Sequence, residues 1–246
     1  MRMVLDDNRT LFIPDTQEVI RAHPQFRLFA TQNPPGLYAG RKVLSRALRN
    51  RFIELHFDPI PRGELEVILE KRCALPQSRA HRLVEVMHRL QLARCQSNVF
   101  LGKDSFITLR DLFRWAERYR LATCDLADPE NDSEKRLTFF DWDAYLAEQG
   151  YLLLSGRVRN AEETRVVAEA LETVFKRPIS EAKLFDLSEE TSSVSKEFLQ
   201  PLLSESDVRP AGFEHVVWTR DMRRMLVLVG NALKYKEPIL LVGETR

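Results

Sequence analysis

Near residue 58 the hydrophobic pattern of the sequence changes period, and neither an all-helical nor an all-strand fold satisfies both halves. Before that point apolar residues come in short, nearly continuous blocks. Phe26-Arg27-Leu28-Phe29-Ala30-Thr31 is closed by Gln32-Asn33-Pro34-Pro35-Gly36, the pattern of a buried parallel strand that ends in a sharp loop. Phe52–Phe57 repeats the strand pattern after a basic helical stretch at Leu44–Asn50, so this part predicts strand, loop, helix, strand and hence an α/β sheet. Upstream, Leu11–Ile13 and Glu18–Ile20 flank Pro14-Asp15-Thr16 and predict a hairpin with a longer loop.

Beyond Asp58 the period is helical. Leu65, Ile68, Leu69 and Arg72-Cys73 fall on one helix, and Leu83, Val84, Met87 and Leu90 on the next. Thr108-Leu109-Arg110-Asp111 predicts a helix start, a capping box with Asp in the usual Glu place, followed by a stripe of Leu109, Leu112, Phe113 and Ala116. Phe106, Phe113, Trp115 and Tyr119 then read as core of this helical part rather than a base-stacking platform. Asp125–Arg136 reads as a surface loop, further helices are expected at Trp142–Arg157 and Ala161–Phe175, and the stretch from Pro178 to Gly212 as a linker with at most short helices. An α/β pattern then restarts. Thr219 is placed to cap a helix with Met222, Met225, Leu226, Val229 and Leu233 on one face, and Pro238 leads into Ile239–Val242 and Gly243. The expected division is 1–58 α/β, 59–176 helical, 177–212 linker and 213–246 the start of a second α/β unit, with neither end resembling a natural domain boundary.

Charge narrows the partners little. Lys and Arg number 37 against 36 Asp and Glu, a formal net charge of +1, so no bulk field draws the chain to nucleic acid or an anionic membrane, and no direct nucleic-acid site is evident. The longest apolar runs fall far short of the ~20 residues that span a bilayer. No apolar segment of a secretory signal follows Met1. Cys73, Cys95 and Cys124 are odd in number and lack metal-ligand spacing, so reduced thiols are expected. His81 and His88 lie seven apart without a completing carboxylate or cysteine and read as surface residues.

Four groups of residues have chemistry to offer, each with a structural alternative. Gly243-Glu244-Thr245 after an apolar strand is how a phosphate-binding loop begins, or an ordinary strand-to-helix turn. Asn33, at the carboxyl end of its strand, either orients a water or makes the Asx turn that Pro34-Pro35-Gly36 requires. Arg46, Arg49 and Arg51 either bring guanidinium groups to a transferring phosphoryl group or form a solvated basic face. Arg110, in the first turn of its helix, adds charge to an anion site or lies in solvent.

Taken in order, Leu5–Glu18, Phe29–Tyr38, Arg41–Phe52, Phe106–Arg120, Val217–Arg224 and Pro238–Thr245 resemble the midasin family of dynein-related AAA+ ATPases, across nearly the whole chain. The resemblance implies Asn33 as sensor 1, Arg49 and Arg51 as arginine-finger candidates, Arg110 as sensor 2, and Gly243, Glu244 and Thr245 as the opening of the next Walker A loop. It implies the C-terminal part of an AAA+ P-loop subdomain, a helical lid, and the first helix and strand of the following module. ATP and Mg2+ would be cofactors of the intact parent and bind poorly to this chain alone, which is expected to be inactive by itself. Neighbouring AAA+ modules and pre-60S ribosomal particles would be the partners, in the nucleus. The chain departs from the family at Arg246, where a glycine is expected, and the first module's Walker A and Walker B motifs would precede Met1. The alternative is a catalytically inactive truncated product or a helical scaffold for protein binding.

Overall fold

The computed structural model describes residues 5, 8–32, 44–96, 107–126, 140–158, 160–185, 217 and 219–243. They group into two compact units, one within residues 1–60 and the other from Pro61 onward.

The first unit holds the predicted hairpin. Strands β1 (Thr10–Ile13) and β2 (Glu18–Arg21) pair antiparallel with Leu11 opposite Ile20 and Phe12 opposite Val19. Gln17 closes the four-residue connection at a positive φ of 54°, a left-handed conformation that a tight reversal demands. Arg9 fastens the chain beyond the hairpin by donating to the carbonyls of Pro24 and Phe26 at 3.4 and 2.8 Å. The basic stretch forms one turn of helix, α1 (Arg46–Arg49).

The expected strands are not strands here. Residues 26–32 and 53–57 run without a ladder, as do 238–242 in the second unit, and β1–β2 is the only sheet among the described residues. The reason is physical: a strand apolar on both faces needs neighbours on both edges, and no described segment pairs with these. Their side chains stay in solvent, with Phe29 90%, Ile53 92% and Val242 89% exposed.

The second unit is helical and owns the core. It comprises α2 (Arg62–Cys73), α3 (Gln77–Gln96), α4 (Leu109–Leu126), α5 (Trp142–Ser155), α6 (Ala161–Phe175), the single turn α7 (Glu181–Leu184) and α8 (Arg220–Lys234). Ala74 ends α2 in the left-handed conformation, donating back to the Leu69 carbonyl, and Leu75 and Pro76 lead straight into α3. Helix α5 is buried nearly all round from Leu146 to Ser155, the signature of a central helix, and α4, α6 and α8 pack against it. Trp115 of α4 is fully buried, donates from Nε1 to the Leu146 carbonyl at 3.0 Å and meets Phe175 of α6 at 5.9 Å between ring centroids. Gly150 of α5 makes that contact possible. A Cβ there would lie 2.6 Å from Cη2 of Trp115 and 2.8 Å from Cε2.

Local signals fix the helix starts. Asp141 accepts from Ala144 N–H at 3.0 Å, Asn160 from Glu163 N–H at 2.8 Å and Thr219 from Met222 N–H at 3.3 Å. Helix α8 differs from expectation in its face. Val227, Gly230 and Asn231 are buried toward the helical unit, whereas Met225 and Leu233 are 43% and 52% exposed. Apolar and polar contacts occur together in this orientation: Val227 joins the core and Leu226 packs against it, Arg224 donates to the Ser155 carbonyl at 2.7 Å, and Asn231 Nδ2 lies 3.4 Å from Gln149 Oε1.

Candidate functional site

Each candidate side chain takes its place from its element. In the first unit the single turn of α1 presents its arginines together. Arg49 forks onto Glu54, Nε to Oε1 at 2.6 Å and Nη2 to Oε2 at 2.7 Å, a bidentate pair across the turn between α1 and the extended segment. The hydrogen bond to Glu54 and its charge hold the Arg49 guanidinium above its ordinary value, and hydrogen bonding to Arg49 holds the Glu54 carboxyl below its own. Half-buried Arg51 donates from Nη1 to the Ala47 carbonyl at 2.5 Å, folding back along α1. Arg46, Arg49, Asn50, Phe52 and Glu54 line an open depression of about 380 Å³. Among the residues lining this depression two guanidinium groups meet one carboxylate, an arrangement suited to an anion that displaces Glu54 from Arg49.

In the second unit Arg110 stands in the first turn of α4, exposed, at the positive end of an 18-residue helix. Beneath it one half of the expected capping box forms, while the Asp111 N–H bonds to the Thr108 carbonyl in place of its side chain. Asp111 Oδ2 accepts from Thr108 N–H at 2.9 Å and from Thr108 Oγ1 at 2.8 Å. Asp111 does more than cap. Its carboxylate is 1% exposed and Arg157, just beyond α5, forks onto it at 2.9 and 2.5 Å. Burial alone would raise this carboxyl, but the Arg157 hydrogen bonds and charge and the two Thr108 donors outweigh it, and the net displacement is downward. The pair pins the start of α4, and so Arg110, to the end of α5.

Gly243 closes the described part of the loop segment, and no atom outside its chain neighbours would contact a Cβ there. Asn33, Glu244 and Thr245 lie outside the described residues.

Two features escaped the sequence reading. Arg118 lies on the apolar face of α4, between Trp115 and Ala122, and is 3% exposed with its guanidinium on Glu237 and Gln149. An arginine inside an apolar stripe is itself a sequence signal of a buried partner. The second is a cleft of about 470 Å³ bounded by α5, α6, α7 and α8, where Arg165, Arg220 and Arg224 face Glu181 and Tyr151. There Tyr151 donates to Glu181, and burial followed by that contact pushes the phenol well above its ordinary range. Among the described residues no group of three or more His, Cys, Asp or Glu could hold a metal ion, and no helix is long and apolar enough to cross a membrane.

The family described as midasin AAA lid domain matches residues 64–178, which run from α2 to just beyond α6. The chain is 49% identical over 249 residues to midasin of Dictyostelium discoideum, covering 100% of the chain and 4% of that protein. It is 32% identical over 254 residues to midasin of Giardia intestinalis, covering 99% of the chain and 5% of that protein. A shorter similarity, 33% over 86 residues, links 35% of the chain to 31% of the denitrification regulatory protein NirQ of Stutzerimonas stutzeri. The chain thus spans about a twentieth of the length of the two midasins it matches.

Proposed function

The chain belongs to the midasin family of AAA+ proteins, and on that premise we propose that it supplies finger and sensor residues to ATP hydrolysis in a larger ring. Residues 1–58 are the C-terminal part of an AAA+ α/β subdomain, 59–176 its lid, 177–212 a linker and 213–246 the start of the next module. The observation that carries the reading is the end of α1, where Arg46 and Arg49 line one depression with Glu54, the carboxylate that Arg49 holds, and Arg51 follows just beyond the helix.

ATP supplies the γ-phosphoryl group that passes to water. Arg51 or Arg49 approaches that group from the neighbouring module and stabilises the charge on its oxygens, a role worth about 10³ to 10⁵ in rate for GTPase fingers. Arg49 must first exchange Glu54 for phosphate, a swap of one bidentate acceptor for another. Asn33 orients the attacking water, and Arg110, held by the Asp111–Arg157 pair, reads the nucleotide from the lid. Gly243, Glu244 and Thr245 begin the loop that wraps the phosphates of the following module. We propose further that the parent acts in the nucleus, remodelling pre-60S ribosomal particles together with its neighbouring AAA+ modules.

A scaffold role is the second reading, favoured by one observation: the helical unit closes its own core. The two part on a simple assay. The purified chain is expected to turn over no ATP above a protein-free blank, and to bind a recombinant neighbouring module more tightly with ATP than without. Turnover by the chain alone would overturn the assignment of the nucleotide to other residues. Nucleotide-independent binding would favour the scaffold.

A further inference from the structure

Arg118 is enclosed on a helix face otherwise made of Leu112, Trp115, Tyr119 and Ala122. A guanidinium so placed needs acceptors, because an unmatched buried charge is costly. Its acceptors come from two directions. Nη1 reaches the Gln149 carbonyl at 3.3 Å and Gln149 Oε1 at 3.2 Å, on α5. Nε and Nη2 fork onto Glu237 at 3.0 and 2.7 Å, 119 residues away in sequence. The Tyr145 hydroxyl donates to the Arg118 carbonyl at 3.2 Å and meets the Tyr235 hydroxyl at 2.8 Å, while the Tyr235 ring lies 5.1 Å from the guanidinium.

Glu237 lies outside α8, in the turn that ends it. Lys236 adopts φ 53° and donates to the Leu233 carbonyl at 3.0 Å, and Glu237 N–H reaches back to the Ala232 carbonyl at 2.8 Å, the closure expected of a helix ended by a left-handed residue. Pro238 follows at once, and Ile239–Val242 lead to Gly243. The exit of α8 is therefore held locally by its own carbonyls and at long range by Arg118. Apolar contact at the exit comes from Tyr235, which is 9% exposed, while Leu233 just before it is 52% exposed.

We infer that Arg118 is a positioning residue that grips Glu237 and so ties the approach to the Gly243 loop to lid helix α4. Lid and loop approach then move together, and a change at the lid of one module reaches the phosphate loop of the next. The link to phosphate rests on the function proposed above; the grip does not.

Hydrogen exchange on the full 246-residue chain reads the grip directly. Glu237→Gln keeps the shape and removes the charge. Protection of the Tyr235, Lys236 and Glu237 amides is expected to fall about tenfold, the scale of a lost hydrogen bond to a charged group, while α4 and α5 keep theirs. Arg224→Gln, which cuts the α8 contact to Ser155, should leave these three amides unchanged. Unchanged protection in Glu237→Gln, or equal loosening in Arg224→Gln, overturns the inference. If an unpaired Arg118 unfolds the unit, the double variant Arg118→Met with Glu237→Gln removes the buried charge, and retained protection there is equally contrary. In the full-length protein, Glu237→Gln should raise KM for ATP about tenfold with kcat held. An unchanged KM, in a protein whose turnover responds to Arg49 or Arg51, overturns the link to the phosphate loop. Turnover indifferent to those arginines instead overturns the proposed function, and the exchange result alone then decides the grip.

Discussion

At the scale of single residues the helical unit depends on two positions with opposite chemistry. Gly150 sits inside α5, where alanine would ordinarily stabilise a helix by about 0.5–1 kcal/mol. The indole of Trp115 fills the space a Cβ would need, and overpacking a closed core costs about 1–3 kcal/mol. Overpacking wins, so Gly150→Ala should lower stability in urea unfolding with an unchanged slope; a gain would mean that Trp115 yields. Asp111 is the other position. Its carboxyl is displaced below the ordinary value of 3.8 in the fold, so the stability it gives is present above that pH and is lost as pH falls through the folded value. The wild-type chain should lose stability on acidification below about pH 4, whereas Asp111→Asn should be less stable at neutral pH and flatter across that window. Parallel acid profiles for the two would contradict the Arg157 pairing. Asp111 was legible in the sequence as a cap, since Thr108 is local to it, but its partner Arg157 lies 46 residues away and only the fold brings them together. The same holds for Arg118, whose position in an apolar stripe was visible and whose partner Glu237 was not.

At the scale of elements, what was legible followed from the range of the interactions. The helices from α2 to α6 answer to a 3.6-residue period and to caps that act within four residues, and their starts at Leu109, Trp142 and Ala161 follow the sequence signals. The hairpin answers to a short turn-forming connection between two short apolar stretches. The segments 26–31, 52–57 and 238–242 carry equally strong apolar runs, yet strand formation is a property of pairs and no described neighbour pairs with them. The face of α8 was legible in part: apolar spacing marked Leu226, which packs on the core, but also Met225 and Leu233, which stay exposed while Val227, Gly230 and Asn231 are buried. Caps lend themselves to direct measurement. Asn160→Ala removes the acceptor of Glu163 N–H and should cost about 1 kcal/mol, read as a lower midpoint of thermal or urea unfolding. No change would mean that the Thr164 hydroxyl contact to the Asn160 carbonyl suffices.

At the scale of the whole molecule, a closed helical core coexists with extended apolar segments that lack a covering partner among the described residues. Phe29, Ile53, Leu55, Phe57, Leu240 and Val242 are each at least 74% exposed. Surfaces of this kind associate, so the isolated chain should sediment as concentration-dependent oligomers, and a monomer at all concentrations would show that these segments fold against something within the chain. In the parent the same segments would complete AAA+ sheets, which is the setting the proposed function requires. The proposed function therefore turns on Arg49 and Arg51 acting on ATP held elsewhere. Its most direct test is steady-state ATP turnover and nucleotide binding by the full-length protein carrying Arg49→Ala or Arg51→Ala. One of the two should lose turnover at the site it serves by about 10³-fold or more, with nucleotide affinity retained. Full turnover in both variants would contradict it.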